Sequence, residues 1–244
     1  MNQFYHDTHV HLDLYKNSSD IIDEINKKKS YTISVTNLPI LYDKAVSKHL
    51  ESKYVRFALG IHPELVGKFP EQIPFFYKKI LDCRYIGEIG LDFTGENISY
   101  KDLQLEVFKK TIEICNQCGG KILSIHSRGA TKEVIEIIGS EFNGKVILHW
   151  FSGNMTDIER AVQNGYYFSV NIDMFNTAKG RKIISKIPIE RILLESDGPF
   201  TKSFRKAYNI FSIDKAIKEL SNIKSIEIGK VNILLKQNFQ TLLT

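Results

Sequence analysis

Ile122-Leu123-Ser124-Ile125-His126 is a short, largely β-branched apolar run that ends on a histidine. Its length suits a strand, and its nearly unbroken apolar character suits one buried on both faces, as in a parallel sheet. Seven other short runs recur along the chain, at residues 4–9, 31–36, 55–59, 85–89, 146–149, 166–170 and 192–195, and those at 4–9 and 146–149 also end on a histidine. Helix-like segments lie between them, among them residues 20–29, 40–51, 100–118, 131–139 and 156–164. Asp157 and Glu159 complement the start of the last of these, and Gly165 suits its end. Strand and helix alternating eight times in 244 residues predict an α/β protein of the TIM-type (β/α)8 barrel class, with room for distortion. A doubly wound sheet is the alternative, but no GxGxxG follows the first strand. Residues 212–243 read as two C-terminal helices that complete the outer ring. No linker, repeat or low-complexity stretch interrupts the chain, which predicts a single domain over residues 1–244.

In such a barrel the C-terminal strand ends converge on one rim. Five of the seven histidines stand at such ends: His9, His11, His62, His126 and His149. Glu88 and Asp197 stand at two more. His9 and His11 are two residues apart, so an extended backbone aims both the same way. Glu88, in an otherwise apolar Tyr85-Ile86-Gly87-Glu88-Ile89-Gly90 run, would be a costly buried carboxylate unless a cation matched it. Imidazole and carboxylate donors together suit one or two divalent ions, with Zn, Mn, Ni or Fe favoured and Mg reachable through carboxylates and waters. His62, in Gly60-Ile61-His62-Pro63, is either a ligand or a donor to substrate, and the second role is favoured. Asp92 reads as a supporting group or as the start of a loop. His6 and His49 lack this context and read as structural.

The expected chemistry is hydrolysis by water that the ions activate, with Asp197 as general base or proton shuttle. His62 and Arg128 would hold substrate oxygens. An ion pair between Arg128 and Glu195 competes with that role. Lys202, Arg205 and Lys206 follow Asp197 closely and could track a phosphate backbone. Phe93, Trp150, Phe151, Phe175, Phe200 and Phe204 could stack unpaired bases or form an apolar lid, stacking being favoured at Phe200 and Phe204.

Bulk properties narrow the field further. The composition is 43% hydrophobic, with a net charge of +5 and a pI near 8.9, a mild lean toward anionic partners. Three cysteines cannot build a disulfide framework and fit a reducing compartment. Cys115 and Cys118 form a CxxC at a helix end, read as helix packing rather than a zinc or redox pair. No apolar stretch reaches the roughly 18 residues that span a bilayer. With no signal-like N-terminus, a cytoplasmic location is expected.

The ordered motifs Asp7-x-His9-x-His11-Leu12, Gly60-Ile61-His62-Pro63, Gly87-Glu88-Ile89-Gly90-Leu91-Asp92, His126-Ser127-Arg128, His149-Trp150-Phe151-Ser152-Gly153 and Glu195-Ser196-Asp197-Gly198-Pro199 resemble those of the TatD family of metal-dependent deoxyribonucleases, among the amidohydrolase-like barrels. The resemblance implies His9, His11, Glu88, His126, His149 and Asp197 as metal ligands, Glu88 bridging and also catalytic. It places His62 and Arg128 at a scissile phosphate of DNA. After Pro199 the chain departs from the family, lacking its longer Arg-Asn-x-Pro stretch, and Trp150 and Gly198 stand where cysteine and alanine are common. The shortened form is similar to QatD-like members of anti-phage defence systems, which implies protein partners. Two other readings stay open: a small-molecule amidohydrolase, and a weakly active partner-binding subunit.

Overall fold

Continuous apolar strands demand cover on both faces, and the fold supplies it. The computed structural model describes residues 4–49, 52–209 and 212–244. Among them eight parallel strands run in chain order: β1 (His6–Val10), β2 (Tyr31–Val35), β3 (Val55–Ala58), β4 (Tyr85–Gly90), β5 (Lys121–His126), β6 (Gly144–His149), β7 (Tyr167–Val170) and β8 (Ile192–Leu194). The helices α1 (Ser18–Lys28), α2 (Pro39–Lys48), α3 (Pro63–Val66), α4 (Gln72–Ile80), α5 (Lys101–Cys118), α6 (Thr131–Ile138), α7 (Met155–Gln163), α8 (Ile172–Phe175), α9 (Ala178–Lys186), α10 (Ser212–Lys224) and α11 (Ile228–Leu243) fill the connections and the tail. The expected eightfold alternation is present. Residues 50 and 51, the end of one expected helix, lie outside the described residues.

Alternate side chains separate into two cores. Ile33, Val35, Ala58, Ile122, Ile147, Tyr167 and Leu193 form an inner cluster with Phe239 and Leu242 of α11. Their strand neighbours, such as Leu123, Ile125, Leu148, Phe168 and Leu194, join the larger cluster with the helices. The ladder falls into two arcs, β1-β2-β3 and β4 to β8. One seam is held by Leu59, whose N–H donates to Tyr85 O at 3.0 Å and whose carbonyl accepts from Gly87 N at 2.8 Å. At the other, Thr8 Oγ1 donates to Leu194 O, Asp197 N to His9 O, and His11 N to Gly198 O. This is the (β/α)8 arrangement with irregular seams.

Two strands also break their own register, β1 between Asp7 and Val10 and β4 between Ile86 and Ile89. Such irregularities re-aim side chains near sites, and here they flank His9 and Glu88. His6, at the start of β1, is fully buried, its ring 5.3 Å from Phe239 and its Nε2 accepting from Leu194 N. Burial pushes the His6 imidazole down to about 3, against about 6.5 in an unfolded chain. Between those values the unfolded chain holds a proton that the folded chain does not, so stability present above pH 6.5 drains away as pH falls toward 3. His6→Gln should therefore flatten the acid limb of a denaturant-derived stability profile by up to about 1.4 kcal/mol per pH unit. Parallel limbs would mean that His6 titrates normally in the fold.

Candidate metal centre

Glu88 sits near the end of β4, 3% exposed, with five imidazoles around its carboxylate. His62 Nε2, His126 Nδ1 and His149 Nε2 approach Oε1 at 3.2, 2.8 and 2.8 Å. His11 Nε2 and His9 Nε2 approach Oε2 at 3.2 and 3.5 Å. Asp197 closes the far side, its Oδ1 lying 3.6 Å from His9 Nε2 and 3.7 Å from His11 Nε2. All six ligands expected from the sequence therefore surround one cup, and His62 joins them.

The donor set fits divalent ions. Two donors of one ion, each about 2.0–2.2 Å from it, lie at most about 4.4 Å apart. Three triads come close to that limit, with donor atoms all within 4.8 Å of one another: His9, Glu88 and His149; His9, His11 and Asp197; His62, Glu88 and His126. The Nε2 atoms of His9 and His11 are buried with no hydrogen-bond partner among the described residues. Unpartnered imidazole nitrogens aimed at two buried carboxylates are what a cation would satisfy. Burial alone would push the Glu88 carboxyl up, but His62, His149 and His9 overcome it and hold the carboxyl well below its ordinary range. Burial raises the Asp197 carboxyl well above its ordinary range, against the pull of His149.

Outer groups fix the ring orientations. Ser124 Oγ lies 2.7 Å from His9 Nδ1, and Asp92 Oδ2 lies 2.9 Å from His126 Nε2. Asp92 is held in turn, its Oδ1 accepting from Thr94 N and Oγ1 and its own N–H donating to Gln104 Oε1. Such carboxylate–imidazole contacts fix the tautomer and the aim of a ligating ring. His62 is different: its Nδ1 accepts from Glu64 N at 3.2 Å. A neutral ring then carries its proton on Nε2, which faces Glu88 as a donor. That geometry suits donation to an oxygen better than metal ligation. Asp197 itself has φ +45°, a left-handed conformation that aspartate tolerates better than most residues.

Several expectations need correction. Glu195 does not pair with Arg128: its carboxylate accepts from Ser169 Oγ, from Asn171 Nδ2 at 2.9 Å and from Trp150 N at 3.1 Å. Those bonds leave Glu195 fixed beneath His149, and Arg128 stays exposed. Phe204 is not free to stack a base. It is buried against Tyr208 at 5.9 Å, and Tyr15 Oη donates to its carbonyl. Phe151 and Phe175 are buried too, whereas Phe200 is 51% exposed. The site opens into a cavity of about 560 Å³ lined in part by His62, Glu88, His126, Arg128, Trp150, Asp197 and Phe200. Lys202 and Arg205 do not line it. They line a neighbouring cleft that shares Trp150, Ser152 and Phe200 with it. Asn37 and Glu64, which sequence reasoning passed over, line the main cavity. Only the place of Glu64, two residues after His62, hinted at it.

Fold and donor set together define a metal-dependent hydrolase built on a (β/α)8 scaffold. Residues 6–244 match the family model described as TatD related DNase, and the chain belongs to that family. It is thus an enzyme of the ester-hydrolysing class. It is 26% identical to the uncharacterized metal-dependent hydrolase YabD of Bacillus subtilis, over 97% of both chains. It is also 26% identical to the human deoxyribonuclease TATDN3, over 95% of this chain and 92% of that one. The crystal structure of YJJV, a TatD homolog from Escherichia coli, superposes with a TM-score of 0.84 at 21% identity, covering 99% of this chain and 98% of that one. That likeness concerns the fold alone. Among the described residues no helix is long and apolar enough to cross a membrane.

Proposed function

We propose that the chain is a divalent-metal-dependent phosphodiesterase that cleaves DNA. The observation that carries this reading is one buried carboxylate ringed by five imidazoles in a cavity whose lining includes the exposed Arg128, which forms no ion pair among the described residues. His9, His11, Glu88, His126, His149 and Asp197 would hold one or two ions, of Zn, Mn, Mg, Ni or Fe, with Glu88 between them. Ions held there supply Lewis acidity toward a phosphoryl oxygen and make water more acidic.

The chain's own groups do the rest. Arg128 and the Nε2–H of His62 bind nonbridging phosphate oxygens and offset the charge that grows as water attacks phosphorus. Asp197, at the cup wall, accepts a proton from that water while the P–O bond to the leaving nucleoside breaks. Asp92 and Ser124 keep His126 and His9 aimed. Lys202 and Arg205 meet the backbone beyond the scissile phosphate. The name of the human relative supports DNA as substrate.

The test is cleavage of end-labelled single-stranded DNA by metal-loaded enzyme, with ion content measured alongside. Cutting that stops in chelator and returns with one divalent ion is expected. A metal-loaded protein that leaves DNA intact in every ion while hydrolysing a small amide would overturn the reading. A finer form of the same proposal is a cytoplasmic, QatD-like role in anti-phage defence with protein partners. Its support is the short passage from Pro199 to α10, and phage plating on cells carrying Asp197→Asn tests it.

A further inference from the structure

We infer that the active cavity continues into a second, basic groove that binds the flanking nucleotides of a single strand, from Trp150 and Phe200 toward Lys179, Lys182 and Lys132. This rests on the phosphodiesterase reading and adds the path of the substrate. Trp150, Ser152 and Phe200 line both the catalytic cavity and the neighbouring cleft of about 480 Å³. That cleft carries Lys179, Lys202 and Arg205 against a single carboxylate, Asp173. It shares Ser152, Lys179 and Ile183 with a third cleft, of about 550 Å³, which adds Lys132 and Lys182. The three spaces adjoin through shared lining residues, past α9 and the starts of α6 and α7.

Charge in this run is committed one way. Asp173 Oδ2 accepts from Lys202 N at 2.9 Å. Asp157 is tied into the cap of α7, its carboxylate accepting from Asn154 N. Glu133 is the remaining acid of the third cleft. None of the five cations forms an ion pair among the described residues. Five cations lining the clefts beside a phosphate-cleaving cup, unpaired among the described residues, complement a polyanionic backbone. The junction favours unpaired bases. Phe200, half exposed and edge-on to His11 at 4.9 Å, faces the opening together with the Trp150 ring. Stacking on such rings accepts any base. The ligands themselves are buried, so the scissile phosphate must reach down into a recess. A single strand can do this more readily than a duplex.

Lys179 and Lys182 lie on the exposed side of α9, where charge reversal leaves the core untouched. In a Lys179→Glu/Lys182→Glu enzyme, KM for a single-stranded 12-mer should rise at least tenfold while kcat stays within about twofold. Turnover of bis-p-nitrophenyl phosphate, which has no flanking nucleotides, should match wild type. Anisotropy titrations of a labelled 12-mer should give a salt slope shallower by about 1.4, at about 0.7 per lost phosphate contact on a single strand. Lys109→Glu, at an exposed position of α5, serves as the control and should change nothing. In wild type, KM should fall as the strand lengthens from a dinucleotide and then level off. If wild type cleaves the 12-mer but the double variant keeps its KM and salt slope, the groove is overturned and the phosphodiesterase reading survives. If wild type neither binds nor cleaves the 12-mer, both are overturned.

Discussion

Asp197→Asn should leave folding and ion content intact while lowering the hydrolytic rate by about 10²–10⁴-fold, the usual worth of a positioned proton acceptor. The side chain keeps its shape and one oxygen, and the backbone bond from residue 197 to His9 O is untouched. What disappears is the basic oxygen beside His9 and His11. Asparagine also tolerates the left-handed backbone at this position. The measurements are steady-state kinetics on a labelled strand and ion content by mass spectrometry. A loss of less than tenfold with ions retained would move the proton acceptor elsewhere in the cup. Loss of the ions would make Asp197 chiefly a ligand.

Glu88→Gln should strike earlier, at ion capture. Both carboxylate oxygens are in use, three imidazoles meeting one and two the other. An amide removes the charge and turns an N–H₂ group toward nitrogens that have to face a cation. Wild-type protein with a divalent ion at a hundredfold its Kd should gain about 2.7 kcal/mol of stability. For a chain of this size that is a rise in Tm of roughly 5–10 °C. The variant should show neither the shift nor hydrolysis. A full thermal shift in Glu88→Gln would mean that the ion sits without the central carboxylate, and the proposed ligand set would be wrong.

Most of this architecture is legible in the residues because most strands, such as β5 and β8, are apolar on both faces, so their runs stand out from the helices around them. The candidate ligands are legible for a related reason: a histidine or glutamate ending an apolar run stands at the barrel rim, where side chains of different strands converge. Helices α4 and α9 are harder to read. Pro74 and Gly180 interrupt their patterns, although a proline in the first turn removes only an N–H that lacks a helical partner anyway. The register breaks in β1 and β4 leave no mark on the apolar pattern, because they depend on how neighbouring strands meet. The same holds for Glu195. Alternation places it near the rim but does not say that Ser169, Asn171 and Trp150 claim its oxygens before Arg128 can. Phe204 shows the limit of reading rings between cations: its neighbours are exposed, yet it turns inward onto Tyr208.

The seam between the first and last strands has a mechanical consequence. The bonds that join the two chain regions there, Asp197 N to His9 O and His11 N to Gly198 O, come from the very residues that face the cup. An ion gripped by both sides would act as a rivet across a span of roughly 190 residues, and tying off so long a loop restrains the unfolded chain. Amide hydrogen exchange at residues 11 and 197 should then slow on ion loading, making the stave joint of the barrel a direct gauge of whether its mouth is charged.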